Sequence, residues 1–431
     1  MRKTWKQRLA LVCAGMMMST VPIYAAEGED VPSMKEALNP DEKIELTMWS
    51  PSTDADAFHN AYLTAIEEFE EEHPNITINM EVFENETYKK KIKSAAAGNE
   101  LPDIFYSWQG GFSQTFAEAG KCLDLDPYYE TYKEDLPESM VGSVKFVDDS
   151  VYGTAYNVCC SCLFYNKKMF EERGLKVPET WDEFKEVCQA FVDEGIAPLV
   201  TSSKETWVLA VLHDALGLKS AGNEKVVKTL TKTGGSYDDP DFLFAAEELK
   251  KLVDMGAFVE GCSGISCAEA ETMLFTGVAP MMVSLSLTDP ANYVENVEDF
   301  DIAPFPVVND NATATDIVGG ASESLMVSSD TEYPDQAGYA AFELSKKIAT
   351  IGYADGAGTS PWLSTPQRDD LTELQKKKED MVKSATSTVL WWNTVMQGDD
   401  ATEYLSLLEQ LFIGDITPEE YVAGMDAQLS K

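Results

Sequence analysis

Ile44–Glu45–Leu46–Thr47–Met48–Trp49–Ser50, Ile76–Thr77–Ile78–Asn79–Met80–Glu81–Val82 and Ile104–Phe105–Tyr106–Ser107–Trp108–Gln109 decide the fold of this chain. In the first two, apolar residues alternate with polar ones, the period of a strand. The third is a short apolar run with a polar and aromatic exit. Between the first pair, Phe58, Tyr62, Ile66 and Phe69 repeat at helical spacing until Pro74 breaks the pattern. A second helix is expected around Tyr88–Ala97 before the third strand. A strand–helix–strand–helix–strand run favours a parallel sheet with right-handed crossovers. Ligands of such sheets bind beyond the carboxyl ends of the strands. Trp49 and Trp108 stand at those ends and point to a cleft with aromatic walls, while the phosphate-binding glycines of a nucleotide fold are absent.

Outward from this unit, 431 residues are enough for two domains with separate cores. The formal net charge of −41 excludes nucleic acid or an anionic membrane surface as the partner of the folded part, since both repel an acidic surface. Arg2, Lys3, Lys6 and Arg8 precede an uncharged apolar run from Leu9 to about Ala26, the pattern of an export signal over 1–26. Cys13 is a candidate lipid-attachment residue, although Ala10–Leu11–Val12 departs from the small-residue pattern such sites favour. Residues 27–43 read as a polar linker.

Seven of the eight cysteines follow the signal, an odd number that leaves at least one free thiol. Cys159, Cys160 and Cys162 fall within Val158–Tyr165, which reads as a buried strand where cysteine acts as a small hydrophobe. Cys262 and Cys267 are spaced to close a small loop disulfide. His59, His73 and His213 show no metal-ligand spacing, and no nucleophile elbow or P-loop occurs, so neither metal nor cofactor is expected.

Further along, Thr47–Met48–Trp49–Ser50, Leu101–Pro102–Asp103–Ile104, Val151–Tyr152–Gly153, Leu163–Phe164–Tyr165–Asn166–Lys167, Val177–Pro178–Glu179–Thr180–Trp181–Asp182–Glu183–Phe184, Phe275–Thr276–Gly277–Val278–Ala279–Pro280–Met281 and Ile413–Gly414–Asp415–Ile416–Thr417–Pro418–Glu419–Glu420 occur in that order. In this order the chain resembles the extracellular solute-binding proteins of ABC importers over about 44–425. It looks most like their sugar-binding, maltose-binding-protein-like group. One departure is Val283–Ser284–Leu285–Ser286–Leu287, where many relatives carry a glycine and a cleft tryptophan. The resemblance implies an α/β, two-lobed periplasmic-binding-protein-like fold of type II, each lobe a mixed sheet flanked by helices. It places one lobe at 44–157 and 305–352, the other at 158–304 and 353–431. Crossings are expected near 156–163, 302–307 and 350–360, with ligand-driven closure presented to a membrane permease. A monomer is expected.

Sugar recognition needs flat apolar faces for ring C–H groups and planar polar groups for hydroxyls. Candidates at strand exits are Trp49, Ser50, Trp108 and Gln109. Glu84 follows the second strand. Tyr156 and Asn157 fall at the first crossing, Trp207 begins a helix, Glu323 follows Gly319–Gly320, and Trp362 lies beyond the third crossing. Of Trp391 and Trp392 one is expected in the core and the other, taken as Trp391, at the ligand, because adjacent residues cannot share a helix face. Two alternatives compete: the same fold binding an amine or peptide, or a glycosidase built on a carboxylate pair. With 74 acidic residues, proposing such a pair is uninformative.

Overall fold

The computed structural model of the chain describes residues 31–285, 290 and 293–429; the expected export signal over 1–26, with Cys13, lies outside the described residues. Strand β1 (Ile44–Ser50) buries Ile44, Leu46, Met48 and Ser50 and turns Glu45 and Thr47 outward, as the alternation requires. It pairs in parallel with β2 (Ile76–Val82) on one side and with β3 (Ile104–Trp108) on the other. The crossover helix His59–Glu72 buries Tyr62, Ala65 and Phe69, and the helix Asn85–Gly98 buries Tyr88 and Ile92. Asp103 joins two strands locally, its Oδ2 accepting from the N–H and hydroxyl of Thr47 at 2.8 and 2.7 Å.

The remaining named strands are β4 (Asn157–Asn166), β5 (Met281–Leu285), β6 (Phe300–Ala303), β7 (Asp316–Val327) and β8 (Ser387–Val389). Their order is β2–β1–β3–β7–β4–β5, with β6 on β4 and β8 on β7. Two hydrophobic cores result. The first gathers Leu46, Tyr62, Tyr88, Phe105, Leu325 and Phe342; the second gathers Phe164, Phe184, Leu216, Met281, Trp392 and Tyr404. Every residue of β4 is buried, cysteines included, so its apolar run is explained by packing on both faces.

Two strands pass between the cores. β4 starts beside β7 and ends between β5 and β6. β7 starts beside β8 and ends beside β3, Ser324 to Val327 facing Ser107 to Ile104. The second passage is therefore within β7, not at 302–307. That stretch packs in the second core: the Trp181 N–H donates to the Val307 carbonyl at 2.8 Å, and the Phe305 and Trp181 rings stack at 5.9 Å. Prolines 304 and 306 stiffen an extended segment without making it a hinge. The passage through β7 contains Gly319–Gly320, with φ of 156° and 136°. A Cβ on Gly319 would lie 2.4 Å from the Cys159 carbonyl oxygen, so only glycine allows the strands this close.

The third passage also comes later than 350–360. The helix Pro334–Asp355 stops at left-handed Gly356, and the chain returns along β4, where Thr359 bridges Val158. Ala357 and Trp362 still belong to the first core, and Leu374 is in the second. The division expected at 304/305 and 352/353 thus misplaces two segments, because Phe305 and Val318 pack with the second core and Trp362 with the first. Nor is all of 27–43 a linker: Met34–Ala37 is a helix with a Ser33–Glu36 capping box. Leu38 is 1% exposed there, and the Tyr339 hydroxyl donates to the Pro32 carbonyl at 3.0 Å. Cys262 and Cys267 are free thiols, so the small loop is not closed by a disulfide.

Candidate ligand-binding cleft

The carboxyl ends of β1 and β3, the start of β4 and the middle of β7 converge. Pairing places Trp108 of β3 opposite Glu323 of β7, and Asn157 of β4 also opposite Glu323. The strand period of two puts Tyr106 on the same face as Trp108, with ring centroids 4.7 Å apart and edge-on. Tyr156, just ahead of β4, meets Phe58 at 5.4 Å, Tyr62 at 5.7 Å and Tyr106 at 6.3 Å. These rings, all buried in the first core, form a continuous aromatic floor beneath Trp108. Trp108 stays half-buried, flanked by Phe112 at 5.0 Å, with the Lys89 ammonium 5.2 Å from its ring.

Polar groups are set into this floor. Asn157 donates from Nδ2 to Glu323 Oε2 at 2.8 Å and accepts at Oδ1 from the Thr359 N–H at 3.1 Å. Burial pushes the Glu323 carboxyl up to about 7, the Asn157 hydrogen bond pulls it down, and the charge of Asp56 raises it further. Burial likewise raises Asp56, although Ser52 and the Phe58 N–H donate to it. Ser50, fully buried, accepts from the Ser52 N–H at 3.1 Å. The Tyr62 hydroxyl is buried without a hydrogen bond of good geometry among the described residues.

The other candidates divide. Trp49 is half-buried at the β1 exit, edge-on to Phe83 at 5.4 Å, with the Lys91 ammonium 4.4 Å from its ring. Gln109 is fully buried behind Trp108, where its Nε2 donates to the carbonyls of Met140 and Thr154, both at 3.2 Å; it ties loops together. Glu84 is the N-cap of the helix Asn85–Gly98, accepting from the N–H groups of Glu86 and Thr87 at 3.1 Å. Trp207 stands at the start of the helix Thr206–Ala221, half-buried, its Nε1–H without a partner among the described residues. Its neighbour Glu205 is raised by burial, partly offset by a hydrogen bond from the Cys267 backbone, and raised further by Glu86 and Glu84. Glu205 is therefore within electrostatic reach of the start of the helix Asn85–Gly98, which belongs to the other core.

Two tryptophans are structural. Trp362 is 2% exposed in the first core, its Nε1–H donating to the Ala155 carbonyl at 2.9 Å and its ring meeting Tyr132 at 5.9 Å. The loop that carries it folds back instead of lining the cleft. Trp391 is buried too, its Nε1–H on Ser161 Oγ at 2.9 Å, and Trp392 fills the second core. The pair is thus buried on both sides. Sequence reading missed Tyr106 and Tyr62 as floor residues: Tyr106 was available from its position two before Trp108, whereas Tyr62 carried only the signal of a core helix.

The family model for bacterial extracellular solute-binding proteins matches residues 52–350. A protein solved in work on xylan utilization by the thermophilic bacterium Caldanaerobius polysaccharolyticus is 32% identical, with a TM-score of 0.83 over 89% of this chain and 99% of that one. A chitin oligosaccharide binding protein shares the fold at TM-score 0.82 and 22% identity, covering 90% of this chain and 98% of its own. The multiple sugar-binding protein of Streptococcus mutans is 21% identical over 380 residues, 86% of either chain. The chain belongs to the bacterial extracellular solute-binding protein family, with the two-lobed type II fold of its structural neighbours.

Proposed function

We propose that this protein captures a sugar or oligosaccharide in the cleft, without chemical turnover, and delivers it to the membrane permease of an ABC importer. One observation carries the reading: a half-buried Trp108 stands in register with Glu323, beside Tyr106 and Tyr156. Rings of this kind take the apolar face of a pyranose, and a carboxylate next to an amide takes its hydroxyls. Relatives named for sugars support the class: the multiple sugar-binding protein, and the melibiose/raffinose/stachyose-binding protein MelE of Bacillus subtilis, 25% identical over 219 residues. Trp49 and Trp207 complete the proposed contact set, with Ser50, Tyr156 and Asn157 buried directly behind it, and Glu84 acts as a cap at its edge. Export through residues 1–26 fits a family of extracellular proteins, with Cys13 as the proposed anchor point if the chain is lipidated.

A second reading is favoured by one feature. Glu323 and Asp56 on the floor, with Glu84, Glu86 and Glu205 at the facing helix starts, would suit a cationic amine. Thermal unfolding against oligosaccharides, monosaccharides, polyamines and peptides separates the two. A ligand at 100 times its Kd adds about 2.7 kcal/mol to stability. Stabilisation by a saccharide recovered intact supports the proposal; stabilisation by amines alone replaces it, and a cleaved saccharide would make the protein an enzyme.

A further inference from the structure

Glu323 lies where β4, β7 and the returning segment at Thr359 touch. Asn157 is its only side-chain hydrogen-bond partner among the described residues, and Asn157 is itself held by the Thr359 N–H. The Tyr156 N–H donates to the Glu323 backbone carbonyl at 3.2 Å, fixing the residue in the floor. Among the described residues, the titratable groups that act electrostatically with this carboxyl come from several elements around it. They are Asp56 from the loop after β1, Tyr62 from the first crossover helix, Tyr106 from β3, Tyr156 ahead of β4, and the Cys159 thiol within β4. None of these is a cation; His59 acts on Asp56 rather than on Glu323. An ionised carboxylate here has one donor where it can accept several. A ligand rich in hydroxyls supplies the missing ones.

We propose that Glu323 makes ligand capture proton-linked: hydroxyls of a bound saccharide donate to its carboxylate, favour the charged form, and release to solvent the proton that the carboxyl held before the ligand arrived. The inference rests on the saccharide reading above. With the ligand-free group at about 7 because burial disfavours its charge, about 0.7 proton leaves per saccharide bound at pH 6.5 once donors return the bound group to the ordinary carboxylate range. By the same linkage, affinity is about tenfold weaker at pH 6 than at pH 8. Capture is then favoured at neutral and alkaline pH, and acidification loosens it.

The test is titration calorimetry with the saccharide selected by the thermal panel, at pH 6.5 in two buffers of unlike ionisation enthalpy, on the wild type and Glu323→Gln. Proton release by the wild type and none by the variant supports the proposal. Binding with no proton exchange, or equal release by both proteins, overturns it. A ligand-free measurement keeps the two readings apart. Because folding raises the Glu323 pKa, wild-type stability falls relative to Glu323→Gln as pH climbs from 5 to 8, so the difference in Tm must move in the variant's favour. If that difference is constant with pH, Glu323 does not titrate in this range and the proposal fails, whatever the ligand. If it moves while no saccharide binds, the saccharide reading fails and takes the proton-linked capture with it.

Discussion

Replacing Gly358 by alanine adds one methyl group at the point where the returning segment meets β4. An ideal Cβ there would lie 2.2 Å from Asn157 Oδ1 and 2.6 Å from Phe58 Cζ. Neither neighbour has room to retreat: Asn157 is 0% exposed and Phe58 4%, and Asn157 is held by Glu323 and Thr359. Overpacking of this kind costs about 1–3 kcal/mol. Displacing Asn157 also breaks the bond it accepts from the Thr359 N–H, worth about 0.5–1.5 kcal/mol. The expected loss is therefore about 2–4 kcal/mol. The control is Gly142→Ala, where no atom of the described residues beyond its own stretch of chain lies within 4 Å of the new Cβ and φ is −58°. Urea unfolding followed by tryptophan fluorescence and by circular dichroism measures both, with an unchanged denaturant slope showing that stability alone moved. A loss below about 0.5 kcal/mol for Gly358→Ala, or an equal loss in the control, would refute the steric argument.

Trp108→Ala should leave the far-UV spectrum unchanged and weaken saccharide binding by about 2 kcal/mol, roughly 30-fold, as removal of an aromatic anchor does; unchanged affinity in calorimetry would remove Trp108 from the cleft. Trp362→Phe should do the reverse. It loses the hydrogen bond to the Ala155 carbonyl, which Ser345 Oγ still satisfies, and costs about 1–2 kcal/mol in denaturation while affinity stays within twofold. At Asp316, partial burial pushes the carboxyl up, but donors from Ser387, Thr313 and Thr386 outweigh it and hold it at about 2. Its folded value lies below the unfolded one, so its contribution of up to about 2 kcal/mol is complete above pH 4 and lost as pH falls through 2. Asp316→Asn should therefore lower stability at pH 7 and hardly at pH 2; an equal loss at both would show that the carboxylate's charge is not involved.

The sequence alone determined the elements and their neighbours where the signals are local. Alternation in Ile44–Ser50 and Ile76–Val82 set which side chains face the first core, because strand geometry sends successive residues to opposite faces. Thr180 with Glu183 and Thr417 with Glu420 announced helix starts that form as capping boxes, since both partners lie within one turn. Family membership, carried by ordered short motifs, was legible for the same reason. Tertiary structure decided the rest. Proline-stiffened 302–307 reads as a crossing, whereas the passage runs through β7, and only the stack of Phe305 on Trp181 and the pairing of β7 with β3 reveal it. Trp108, Trp362 and Trp391 are alike as letters. One stays half-buried at a strand exit, and two find buried acceptors at Ala155 and Ser161 that are more than 200 residues away in sequence. The same holds for Glu323. Its partner Asn157 lies 166 residues earlier and its neighbour Asp56 on another element, so its charge balance did not exist until the fold brought them together.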